Sequence, residues 1–183
     1  MVARHENEPE HLWHYSENPA IGRFVPHVPV TNPDQPPMVW TIDDAHSPLL
    51  WFPRDCPRIT FWTEDDTPAD RLGPTTASRV HAIEAGWVER MRTCRLFVYR
   101  FAASGFTPWP DADGYWVSHE EQAALEVEPV GALFERHRER GIELRVLDDL
   151  RPLRDWVIES GYRFSMTRMR NINPAPGEGS GTG

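Results

Sequence analysis

The chain contains no lysine; all 19 of its basic side chains are arginine. That absence excludes several chemistries at once. A P-loop needs a lysine on the β/γ-phosphates, a protein kinase needs one on its third strand, and Schiff-base and pyridoxal-phosphate enzymes need an amine. Serine–lysine hydrolases are excluded with them. Cysteine is nearly as scarce: Cys56 and Cys94 stand far apart, which gives neither a disulfide framework nor a zinc pattern. Long apolar runs are missing too, the longest resembling Leu49-Leu50-Trp51-Phe52, far short of the roughly 20 residues of a membrane span. The first ten residues lack the apolar core of a secretory signal. There is no H-E-x-x-H motif, glycine-rich phosphate loop or nucleophile elbow. The expectation is a cytoplasmic protein with free thiols, no metal and no membrane contact.

What is present points to a folded domain with an aromatic interior. A length of 183 residues suits one domain and buries a core without staples. Eight tryptophans supply large anchors for a core or a pocket. The net charge of −9 argues against a nucleic-acid-binding module, although arginine forks remain suited to phosphate. Proline divides the chain, with most of its 18 prolines lying before residue 75. Short elements and stiff loops are therefore expected first, and longer regular elements later.

Strands are expected at Leu12 to Ser16, Met38 to Ile42, Ile59 to Trp62, Arg79 to Glu84 (half-exposed), Arg95 to Phe101, Tyr115 to Val117 and Ile142 to Leu147. Short helices are expected at Ser47-Pro48, around Trp87 to Met91, from Pro129 to a C-cap at Gly141, and from Pro152 to near Gly161. The stretch from Tyr162 to Asn171 reads either way. Residues 1–10 read as disordered, 11–173 as a single α+β domain and 174–183 as a flexible Gly/Pro-rich tail. The fold class is α+β, with mixed, mainly antiparallel short-stranded sheets and three or four short helices.

Leu12-Trp13-His14-Tyr15-Ser16-Glu17-Asn18-Pro19 sets a histidine in the first strand. With Met38-Val39-Trp40-Thr41-Ile42-Asp43 and Pro53-Arg54-Asp55-Cys56-Pro57-Arg58-Ile59-Thr60-Phe61-Trp62, it resembles a family of small bacterial proteins known as a domain of unknown function. Later stretches, among them Gly114 to Ser118 and Phe164 to Asn171, extend the likeness over most of the chain. The order of elements is also similar to the ADP-ribosyltransferase-like fold. That resemblance implies NAD as substrate, with His14 holding a ribose, Thr41 beside the nicotinamide, and Glu120 supporting the transition state. Such chemistry binds a pyrophosphate and stabilises an oxocarbenium-like ribose. Arginine forks at Arg54, Arg58 or Arg168 serve the first task and a carboxylate the second. Trp13, Tyr15, Trp40 or Trp62 offer walls for a base.

Each residue also has a plainer reading. His14 is then a structural hydrogen-bonder, and Arg54, Asp55 and Arg58 pair to fix a loop. Ser118 to Glu121 reads as a capping box with Glu120 in the first turn of a helix. Cys56 stands among arginines, which lower a thiol pKa, but a buried packing thiol fits as well. The functional expectation is ADP-ribosyl transfer or NAD glycohydrolysis. Its rivals are a non-catalytic module for a nucleotide or other anionic metabolite, and a protein-interaction partner with a negative surface.

Overall fold

The computed structural model describes residues 8–29, 33–63 and 75–174. Most of the expected disordered start and flexible tail lie outside the described residues. In chain order the strands are β1 His11–Ser16, β2 Val39–Ile42, β3 Arg58–Trp62, β4 Arg79–Glu84, β5 Phe97–Ala102, β6 Thr107–Pro108, β7 Tyr115–Ser118, β8 Glu126–Pro129, β9 Glu143–Leu147 and β10 Arg163–Thr167. The α-helices are α1 Val88–Thr93, α2 Leu133–Glu139 and α3 Arg151–Ser160. This is an α+β chain with mainly antiparallel sheets. It gathers into two compact units, one from Met1–Trp51 and Arg95–Val130, the other from Phe52–Cys94 and Gly131–Gly183.

The first unit is built on a six-stranded antiparallel sheet in the order β6-β7-β2-β1-β5-β8. Register fixes which side chains share a face. Leu12 pairs with Phe101 and His14 with Tyr99, while Thr41 pairs with Trp116. Because side chains alternate, these residues and Val39 share one face. There Leu12, Val39, Tyr99 and Phe101 pack with Phe24 and Phe106 as an apolar cluster. The other face carries Trp13, Tyr15, Trp40, Ile42 and Tyr115.

The second unit is a four-stranded sheet in the order β10-β3-β4-β9, with β4 and β9 its one parallel pair. Ile59, Phe61, Val80 and Ala82 project from one face onto α3, through Leu150, Leu153 and Val157. These α3 positions fall at the helical spacing that makes one apolar stripe. Pro152 lies in the first turn, and Gly161 ends the helix at φ 77°. The opposite face carries Arg58, Thr60, His81 and Ile83, all buried. The expectation of a half-exposed strand at Arg79 to Glu84 is thereby corrected: β4 is an interior strand, and five of its six residues are buried.

Two other expectations change. Pro129 opens no helix; it closes β8 opposite Phe97, and α2 begins at Leu133. An edge strand tolerates a proline at its end, since no ladder donor is lost. Ser118 to Glu121 is likewise no helix start. The Ser118 hydroxyl meets the Glu120 N–H at 3.2 Å in a turn, and Gln122 then pairs with Phe24.

Candidate functional site

On β1, His14 is half-buried, its Nδ1 2.9 Å from the Trp40 carbonyl and its ring edge-on to Phe24 at 4.9 Å. A carbonyl only accepts, so Nδ1–H donates. Thr41 lies on the same face as His14; it is buried and donates its hydroxyl to the Trp116 carbonyl at 3.2 Å. Tyr15 points to the opposite face, where its hydroxyl accepts the Trp51 indole N–H at 3.1 Å. Glu120 is exposed in the turn past β7. Its neighbour Glu121 takes an ion pair from Arg23 at 2.7 Å. The sheet therefore brings His14 and Thr41 together, and separates Tyr15 from them by one pleat.

The arginines expected to hold phosphate lie in the second unit. Arg58 is buried, donates to the Cys56 carbonyl at 3.1 Å and stacks 4.9 Å over Phe52. Arg168 donates Nε to the Arg54 carbonyl at 3.1 Å and approaches Asp55 at 3.7 Å. Asn171 reaches the Asp55 carbonyl at 2.7 Å, so the segment after β10 fastens this loop. Arg54 itself is exposed. Arg168 thus ties this loop to the segment after β10.

Cys56 decides between two opposing effects. Arg58 favours the thiolate, but the thiol is fully buried, and burial is the larger effect: its pKa is pushed up to about 12. At neutral pH it is a packing thiol, not a nucleophile.

Sequence reasoning took Trp13, Tyr15, Trp40 and Trp62 singly as walls, and register groups the first three. On the face of the first sheet opposite its apolar cluster, Trp13, Tyr15, Trp40 and Tyr115 come together, all half-buried. Trp109 folds onto them, its ring 5.2 Å from that of Trp40, with Tyr115 at 6.2 Å from Trp40. Two buried indole nitrogens, Trp13 Nε1 and Trp40 Nε1, have no acceptor among the described residues. A buried donor left unpaired costs about 1–3 kcal/mol. Period-two alternation in Leu12 to Ser16 and Val39 to Ile42 carried this grouping, but only the pairing of Trp13 with Ile42 aligns the two strands. Trp62 belongs to the second unit, where Arg79 stacks on it at 5.1 Å.

The second unit holds three buried ionisable groups that sequence reasoning did not single out: His81, Glu84 and His137. Among the described residues no group of three or more His, Cys, Asp or Glu side chains is placed to hold a metal, and no helix is long and apolar enough to cross a membrane. A family model described as "Family of unknown function (DUF6886)" matches residues 13–172. No curated protein and no solved structure matches the chain.

Proposed function

The chain belongs to this family of unknown function, and from that premise we propose that it is a binding module for a flat, nucleotide-like small molecule, taken up on the aromatic face of the first unit's sheet. The observation that carries this reading is the gathering of Trp13, Tyr15, Trp40, Trp109 and Tyr115 with two unanswered indole donors. The unit already has an apolar cluster on the other face of the same sheet. Aromatic rings in this number suit stacking against a base, which is tolerant of base identity. The indole N–H groups select for acceptor atoms on the ligand edge. Both are buried, so a ring swings outward as the ligand enters.

Titration with NAD, adenosine and nicotinamide nucleotides, read by tryptophan fluorescence and calorimetry, tests the proposal. Trp40→Ala is expected to weaken binding about tenfold or more, since a stacked base is worth about 1–3 kcal/mol by alanine substitution. Absence of binding by every planar nucleotide tried, or full affinity in Trp40→Ala, removes the reading.

A second reading is ADP-ribosyl transfer or NAD glycohydrolysis, with NAD as substrate. It is favoured by the Trp40 carbonyl, which fixes the His14 ring as a site for ribose needs. The bond from ribose to nicotinamide breaks with its electron pair leaving on nicotinamide. Water or an acceptor hydroxyl then bonds the ribosyl carbon, and Glu120 takes the proton. This reading predicts nicotinamide release from NAD and its abolition in His14→Ala. Binding without release, unchanged in Glu120→Gln, leaves only the module.

A further inference from the structure

In the second unit, β4 and α2 meet through two histidines. His81 and His137 are both buried, with His81 Nδ1 3.0 Å from His137 Nε2. One carbonyl settles every proton in the pair. His137 Nδ1 lies 2.7 Å from the Leu133 carbonyl, so it must carry a hydrogen. Neutral His137 then has a bare Nε2 that can only accept. The bridging hydrogen therefore sits on His81 Nδ1. That leaves His81 Nε2 bare, buried and with no donor among the described residues.

The surroundings oppose a positive charge at that nitrogen. The side of Phe52 closes on both rings, at 5.4 Å from His81 and 5.1 Å from His137. Arg58 from β3, Arg79 from β4 itself and Arg136 from α2 all act against protonation. From β9, Leu144 stands opposite His81, and the flanking Glu143 and Arg145 pair with each other at 2.7 Å. Against α2, α1 buries Met91 and leaves Glu89, Arg90 and Arg92 exposed. Glu84 projects from the other face of β4, engaged by the backbone N–H groups of Leu150 and Asn173. The Cys56 thiol stays neutral.

We infer that His81 and His137 form a proton-operated latch: when helix α2 lifts, protons taken up by the uncovered rings, with His81 Nε2 the bare position, hold it released from the sheet. His81 Nε2 is the one nitrogen of the pair that can take a proton without breaking an existing hydrogen bond. It is reached only when something opens, and α2 is the cover that carries the other half of the pair, His137 being one of its two buried side chains with Leu133. Once α2 lifts, both rings meet water and take protons freely.

The direction follows from linkage. Burial, the largest influence on each, holds both imidazoles below their ordinary value of 6.5, His81 well below. The closed form refuses protons that the open form accepts. Closure is thus complete above the ordinary imidazole range and is lost progressively as pH falls below it. For each proton taken up, the opening equilibrium grows about tenfold per pH unit.

Amide hydrogen exchange on the full chain, corrected for the intrinsic pH dependence of exchange, tests this between pH 7.5 and 5. Protection of the α2 amides is expected to fall about tenfold or more per unit below pH 6.5, while α3 amides keep theirs. In His81→Leu/His137→Leu the α2 protection is expected to lose this pH dependence. Should the double variant not fold, nitrogen-detected NMR of the native histidines at pH 7.5 decides, with His81 expected to carry its hydrogen on Nδ1. The inference is overturned by α2 protection independent of pH, by α2 and α3 losing protection together, or by a hydrogen on His81 Nε2.

Discussion

Gly114→Ala is expected to destabilise the first unit by about 2–5 kcal/mol. Gly114 has φ 80°, and a Cβ built on it would stand 2.2 Å from His46 Cγ and 2.5 Å from His46 Cβ. Those atoms are the root of the ring, not a flexible tip. The ring cannot retreat cheaply, because Asp43 Oδ1 holds both the His46 backbone N–H and Nδ1 at 2.8 Å. A left-handed backbone with a side chain costs about 1–2 kcal/mol, and forcing a packed neighbour aside about 1–3 more. Gly131→Ala is the matched control. It has φ 84° with nothing within 4 Å, so only the backbone cost of about 1–2 kcal/mol applies. Urea unfolding of both variants checks the difference, and equal losses would mean that the His46 ring yields easily.

Glu84→Ala is expected to cost the second unit about 3–6 kcal/mol. Its carboxylate is fully buried, accepting the Asn173 N–H at 2.8 Å and the Leu150 N–H at 3.4 Å. Leu150 stands at the N-terminus of α3, where no side chain of the cap residue supplies a hydrogen bond. A strand residue remote in sequence therefore shares the capping with Asp149, whose Oδ1 accepts the Arg151 N–H at 2.9 Å. Alanine would remove an acceptor of two backbone donors, a loss of about 1.5–3 kcal/mol for each charged hydrogen bond. Glu84→Gln keeps the shape and one acceptor oxygen and should recover part of the loss. Calorimetric unfolding and the exchange rates of the Leu150 and Asn173 amides provide the measurements. A loss below about 1 kcal/mol in Glu84→Ala would show that these contacts do not hold α3 in place.

Much of the fold was legible because local patterns and tertiary pairing agree. Arg79 to Glu84 was placed as a strand with its observed bounds, and Gly141 and Gly161 do end helices at positive φ. Elements were missed where local composition works against them. Strand β8 is Glu-Val-Glu-Pro and fully exposed, so neither apolar alternation nor strand propensity marks it. It exists because Val127 and Glu128 pair with Tyr99 and Val98. Tyr162 to Asn171 resolved as β10 and a short 3-10 helix, since pairing with β3 overrides an indifferent sequence.

The candidate groups were less legible, for a similar reason. Alternation could place Trp13 with Tyr15, but joining them to Trp40 and Tyr115 required the register of three strands. His81 and His137 gave no signal at all, since their meeting depends on α2 packing over β4. The arginines at 54, 58 and 168 had suitable chemistry for phosphate, yet the structure puts Arg58 and Arg168 to use on carbonyls of the loop.

The interleaving of the two units along the chain has a consequence for synthesis. The first unit is complete once residue 130 has emerged, whereas the second must wait for Gly131–Gly183. Until then β3 and β4 lack the β9 and β10 neighbours that cover their edges, and α3 is absent from Ile59, Phe61 and Val80. A nascent chain stalled near residue 130 thus displays two apolar, β-branched strands with open edges, the kind of surface that invites mispairing.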